Sequence, residues 1–127
     1  MSALADMPHL PRPAPIDAYG NGGFRFADMS HRGSILCLPD GVWAWPYQAV
    51  AALDEAALAA IVERRGAIDF FMLGTGRDPM AMPARLRALL ADAGINADAM
   101  TTGAAIRTYN IMLGENRRVA AGLIAVP

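Results

Sequence analysis

The sequence contains no lysine: all eleven basic residues are arginine, scattered among twelve acids for a formal net charge of −1. Without a basic stripe or a polybasic run, neither nucleic acid nor an anionic membrane surface is an expected partner. Cysteine is reduced to Cys37, so no internal disulfide can form, which suits a reducing compartment. One cysteine and two histidines, His9 and His31, give no convergent set of three or four ligands. No metal and no other cofactor is therefore expected. No apolar run approaches the roughly 20 residues of a membrane helix. The opening "MSALADMPHLPRPAP" lacks the apolar core of a secretory signal and carries Asp6. These absences together predict a cytoplasmic protein with no membrane insertion.

Hydrophobic residues make up 54% of the 127, and a chain of this size buries about two thirds of its unfolded surface, enough for one core without staples. Pro8, Pro11, Pro13 and Pro15 fall in the first fifteen residues. Proline fixes φ and removes a donor, so residues 1–15 read as a flexible proline-rich arm and residues 16–127 as a single α/β domain.

The first half of that domain reads as a β-meander. Phe24 and Phe26 alternate with Arg25 and Ala27 at period two. "SILCL" is a short apolar run between Gly33 and Pro39, and Asp40-Gly41 is a hairpin signal before the return strand Val42 to Trp45. The second half alternates. Asp54 can cap a helix carrying Leu58, Ile61 and Val62, with Gly66 at its end. "AIDFFML" (67–73) reads as a strand buried on both faces. Pro83 suits the first turn of a second helix striped with Leu86, Leu89, Leu90 and Ala93, and Gly94 stops it. "INADAM" is a weaker strand. Thr101 or Thr102 can cap a third helix with Ala105, Tyr109 and Met112 on one face, and "RRVAAGLIAV" is the last strand. Strands alternating with helices predict a central mixed sheet with helices packed on it and a β-meander/hairpin region at the N-terminal side.

The candidate chemistry centres on "FFMLGTGRDPM". Gly74, Thr75, Gly76 and Arg77 follow the buried strand, where open α/β sheets place ligands and where free amides can hold an anion. Arg107 and Asn110 on the third helix can line the same pocket. The spacing meets neither nucleotide-binding fingerprint, and Asp78 would repel an anion, so a structural strand-to-helix turn is the favoured reading. Cys37 sits in an apolar setting that dulls a thiol. His31 has no nucleophile beside it by sequence. No arrangement for catalysis emerges, and an enzyme is disfavoured. Trp43 and Trp45 share one strand face; exposed, they form a partner surface, and turned inward they are core, which is the favoured reading.

The glycine pair of "LGTGRDP", the segment "DAGINADAMTTGAAIRTYN", the terminal "ENRRVAAGLIAV", the opening "IDAYGNGGFRF" and the "DGVWAWP" hairpin together resemble a family of small proteins of unknown function. That family includes mitochondrial complex I (NADH dehydrogenase) assembly factor 3 and the human adipogenesis-associated domain protein. The resemblance spans residues 16–126 and implies a compact α/β domain without an assigned activity, cofactor or catalytic residue. It implies a non-enzymatic module that binds protein partners, with assembly of a respiratory membrane complex as its role. Lacking a transit peptide, the sequence departs from the mitochondrial member and reads as a bacterial-type protein. The alternative is a small-anion or small-molecule binder, or a weak enzyme, built on the Gly74–Arg77 loop.

Overall fold

The computed structural model describes residues 7–127. Eight strands and three α-helices follow in the order β1 (Ala18–Gly20), β2 (Gly23–Phe26), β3 (Met29–Arg32), β4 (Ile35–Leu38), β5 (Gly41–Ala44), α1 (Glu55–Glu63), β6 (Phe70–Gly74), α2 (Ala84–Asp92), β7 (Asn96–Met100), α3 (Thr102–Gly114) and β8 (Val119–Leu123). They form a mixed five-stranded sheet in the order β5-β4-β8-β6-β7 and a separate three-stranded antiparallel sheet β1-β2-β3. This is the α/β architecture that the alternation of patterns predicts.

The expected meander is therefore divided between two sheets. β1, β2 and β3 form one, while β4 and β5 pair as a hairpin at the margin of the other. The division falls at Gly33, whose φ of 97° carries the chain from one to the other. The hairpin turn itself is Pro39-Asp40, because Leu38 faces Gly41 across the ladder. Gly41 is instead a close-approach site: a Cβ there would lie 2.5 Å from the Leu10 carbonyl oxygen.

Strand alternation feeds two cores, one on each face of the large sheet. Leu36 and Leu38 of β4 and Phe71 and Leu73 of β6 pack on one side with Leu58 and Ile61 of α1 and Leu86 and Leu90 of α2. Ile35 and Cys37 of β4 and Met72 of β6 face the other side, with Phe24 and Phe26 of β2 and Ile106 and Tyr109 of α3. The small sheet thus lies beside α3 as an outer layer. At the sheet's centre β8 is "VAAGL", and its Gly122 lets the Trp45 ring lie directly against the backbone; a Cβ there would come within 2.5 Å of that ring.

Local signals set the helix starts. The Asp54 carboxylate accepts from the Ala57 amide at 3.0 Å, and the Thr101 hydroxyl accepts from the Ala104 amide at 3.3 Å. Gly94, at φ 78°, ends the turn after α2.

The expectation of a loose arm through residue 15 needs correction. Residues 1–6 lie outside the described part, but the chain is tied down from His9 onward. The His9 amide donates to the Val42 carbonyl at 2.8 Å, and the Val42 amide donates to the Leu10 carbonyl at 2.9 Å. Leu10, Ala14 and Ile16 are buried. Prolines at 11, 13 and 15 keep this segment extended, and an extended strap needs few ladder bonds to lie along an edge.

The strand edges of the large sheet are also dressed. The strap lies along β5. On β7 at the other edge, Arg87 Nη1 donates to the Ala97 carbonyl at 3.2 Å, and the Asp98 carboxylate accepts from the Ala99 amide at 2.9 Å.

Candidate functional site

The Gly74–Arg77 loop stands at the end of β6, where the sequence places it. Its donors are turned inward. The Thr75 amide donates to the Met100 carbonyl at 2.8 Å. The Gly76 amide donates to Thr102 Oγ1 at 2.9 Å, and that hydroxyl in turn donates to the Ile124 carbonyl at 2.7 Å. The Thr75 hydroxyl reaches the carbonyls of Asp78 and Met100 at 2.7 and 3.1 Å. The Gly76 carbonyl accepts from the Thr102 amide at 2.9 Å, and the Gly74 carbonyl from the Ile124 amide at 3.0 Å. Thr102 has no exposed surface, so the knot is dry.

Each glycine here has a steric reason. A Cβ on Gly74 would sit 3.0 Å from the Thr102 backbone and from Leu123, and Gly76 adopts φ 100°. The Thr75 and Gly76 amides are spent on protein acceptors, so neither is free to hold an anion at this turn. Of the residues expected to line a pocket, Gly74, Thr75, Gly76, Arg77, Arg107 and Asn110, the first three are engaged within the joint. Arg77 and Arg107 are exposed. Asn110 is a clamp on the N-terminal strap instead: its Oδ1 accepts from the Ile16 amide at 2.9 Å, and its Nδ2 donates to the Ile16 carbonyl at 2.8 Å.

The two tryptophans share a face, and that face is the core. Trp43 and Trp45 are 5% and 2% exposed, so they form no partner surface. The Trp45 indole donates to the Ala57 carbonyl at 3.2 Å, while the Arg64 guanidinium lies 5.2 Å from the Trp43 ring. Arg64 also forks onto Asp40 at 2.7 and 3.1 Å, which holds that carboxyl below its usual range. The return strand and its continuation bury these rings because α1 must be covered on its sheet side.

Cys37 is fully buried, and that burial pushes its thiol from 9.0 up to about 12. The thiol faces the hydroxyl of Tyr109, which is itself buried without any nitrogen or oxygen partner. Burial, with the thiol close by, pushes the Tyr109 hydroxyl up as well. Neither group ionises near neutrality. His31 lies on β3, half-buried, with its ring tilted 50° against that of His9 at 4.5 Å between centroids. Its pKa is lowered by burial first and by the His9 charge second. Among the described residues no group of three or more His, Cys, Asp or Glu is placed to hold a metal.

A concavity does exist, on the small sheet. It encloses about 420 Å³ and is lined by segments 18–21, 23–25 and 30–32 of β1, β2 and β3. Arg25, Ser30 and Arg32 are exposed there. Reading the sequence missed it. A usable signal was present: Asn21-Gly22 is the two-residue turn of the β1–β2 hairpin, with φ of 51° and 79° at those positions, as the primed turn type requires. The register of β2 against β3, with Gly23 opposite Arg32 and Arg25 opposite Ser30, then brings the two arginines onto one face.

Known proteins give this geometry a context. An uncharacterized protein of Rhodobacter capsulatus is 37% identical over 113 residues, covering 89% of this chain and 86% of its own length. NADH dehydrogenase [ubiquinone] 1 alpha subcomplex assembly factor 3 of Drosophila melanogaster is 30% identical over 112 residues, or 86% of this chain; the match spans 57% of the fly protein. The crystal structure of a Bartonella henselae protein, described as an outer membrane protein, superposes with a TM-score of 0.89 at 48% identity, over 94% of this chain and 100% of that one. A Bordetella pertussis Mth938-like domain shares the fold, with a TM-score of 0.72 at 24% identity over 98% of this chain and 92% of its own. No helix among the described residues is long and apolar enough to cross a membrane. The match to the family profile runs over residues 16–124, from the Asn110-clamped strap to the end of β8, and the chain belongs to this family of proteins of unknown function, DUF498/DUF598.

Proposed function

We propose that this chain is a non-enzymatic protein-binding module that assists assembly of a respiratory membrane complex. The observation that carries the reading is the similarity, along 86% of this chain, to a fly protein named as an assembly factor for a subcomplex of NADH dehydrogenase. The use of reactive side chains supports it. Cys37, Thr75, Thr102 and Asn110 are all spent on packing or on backbone carbonyls and amides. The contact surface falls outside the buried tryptophans; exposed apolar side chains at Met80 and Ile111 offer it anchors.

The test is deletion in the native host combined with affinity purification of the full chain. Membranes of the deletion strain should hold less assembled NADH dehydrogenase, and its subunits or assembly intermediates should co-purify reproducibly with the tagged protein. Unchanged levels of the assembled complex, with none of its subunits recovered, would discard this role.

A further inference from the structure

We propose that the outer face of the three-stranded sheet binds a small phosphate monoester, held by Arg25 and Arg32. The register builds the face from two adjacent rows. One row is Ala18, Arg25 and Ser30, and the other is Gly20, Gly23 and Arg32. Phe24 and Phe26 point the opposite way into the core, so Arg25 projects outward from the middle strand. Arg32 is its diagonal neighbour on β3, at the spacing across which long side chains on one sheet face meet.

The floor between them is bare. In the second row Arg32 faces Gly23, with Gly20 beyond it, and Arg25 is flanked by only the small side chains of Ala18 and Ser30. Position 23 admits no side chain, because a Cβ there would collide with the backbone of His31 on the next strand. The result is the cleft of about 420 Å³, within the range of sites for small organic ligands.

Its electrostatics are one-sided. Among the described residues no acidic side chain lines the cleft. Among the described residues, ion pairs within 4.0 Å engage Arg64, Arg117 and Arg118, while Arg25 and Arg32 form none. Two unpaired guanidinium forks on one concave face raise the local concentration of anions. The donor count favours phosphate over carboxylate. One fork saturates the two oxygens of a carboxylate, and the second would be left idle. A phosphate monoester carries a charge of about −1.5 to −2 and three terminal oxygens, enough for both forks. The Ser30 hydroxyl and the Asn21 amide at the rim complete the donor set. This site is independent of the assembly role proposed above, since its ligand is a small molecule.

Backbone amide NMR of the full chain tests it, titrating inorganic phosphate and, separately, acetate, with chloride holding ionic strength constant. Phosphate should give saturable shifts at Gly20, Gly23, Ser30 and Arg32, with a dissociation constant of about 1 mM or tighter. R25Q and R32Q should each weaken binding by about tenfold or more, in spectra that stay fully dispersed. R25K keeps the charge but loses the fork, and should weaken binding too. R77Q should bind as the parent does. Shifts that fail to saturate by about 20 mM phosphate, that survive R25Q and R32Q, that are retained in full by R25K, or that acetate reproduces at equal affinity would each overturn the assignment.

Discussion

Two places in this molecule combine glycines with arginine, and they are opposites. At Gly74–Arg77 the glycines serve the interior: one permits close approach to Thr102, the other a φ of 100°, and the loop's Thr75 and Gly76 amides end on protein acceptors. At Gly20 and Gly23 the glycines leave a bare floor beneath Arg25 and Arg32, which form no ion pair within the described chain. The first resembles an anion site in sequence and is a closed joint. The second has no recognisable fingerprint and is open. What separates them is where the donors end, and that depends on distant residues such as Thr102 and Ile124.

The comparison breaks most severely at the strand that leads into the closed joint. Phe71 is fully buried in β6, so Phe71→Ala should cost about 3–5 kcal/mol through lost transfer energy and a cavity. Urea unfolding measures it, and a loss under about 1 kcal/mol would contradict the packing described. Thr102→Val keeps the shape but strands the Gly76 amide and removes a donor from the Ile124 carbonyl. An unpaired buried amide places the cost at about 2–3 kcal/mol. A neutral outcome would mean that the loop amide has water available and is open after all.

Gly76→Ala tests backbone strain alone, since the added methyl would meet only Ile124 at 3.8 Å. The positive φ sets the expected loss at about 1–2 kcal/mol. An alkaline effect of similar size comes from Cys37. The folded thiol keeps its proton to about 12, whereas the unfolded one releases it near 9.0. Its contribution is therefore complete below pH 9 and is lost as pH rises toward 12, at about 1 kcal/mol for the first unit. The urea midpoint should fall more steeply in this window for the parent than for Cys37→Ala; equal slopes would place the thiol in solvent. Smallest of all, Arg32→Ala on the open face should change stability by no more than about 0.5 kcal/mol, and a loss above about 1 kcal/mol would make that arginine structural.

Legibility followed range in sequence. Asp54 as a cap, the Thr101–Thr102 pair as the cap of α3, Gly94 as a stop and Phe71 as core depend on near neighbours and a local period; the structure bears these out, with Thr101 the one that caps. Trp43 and Trp45 could be placed on one face but not inside or outside, because that depends on α1 covering them. Asn110 illustrates the rest. Its partner Ile16 lies 94 residues away, and a polar residue on a helix looks the same in sequence whether it binds a ligand or a strap. The split of the meander at Gly33 was hidden for the same reason, since five successive strands carry no mark of which sheet each will join.

The dressed margins of the five-stranded sheet limit how this protein can associate. An unprotected outer strand is a template for another chain, in functional augmentation or in aggregation. Here the strap from His9 occupies one margin. On the other, the backbone of Asn96, Asp98 and Met100 turns toward β6, leaving Ala97 and Ala99 to face outward. Of the groups these two present, the Ala97 carbonyl is taken by Arg87 and the Ala99 amide by Asp98. A partner strand zipping onto either side would first have to displace a proline-stiffened segment or break a charged cap. At these positions the five-stranded sheet is guarded against strand addition, which leaves side-chain contacts as its easier route of association.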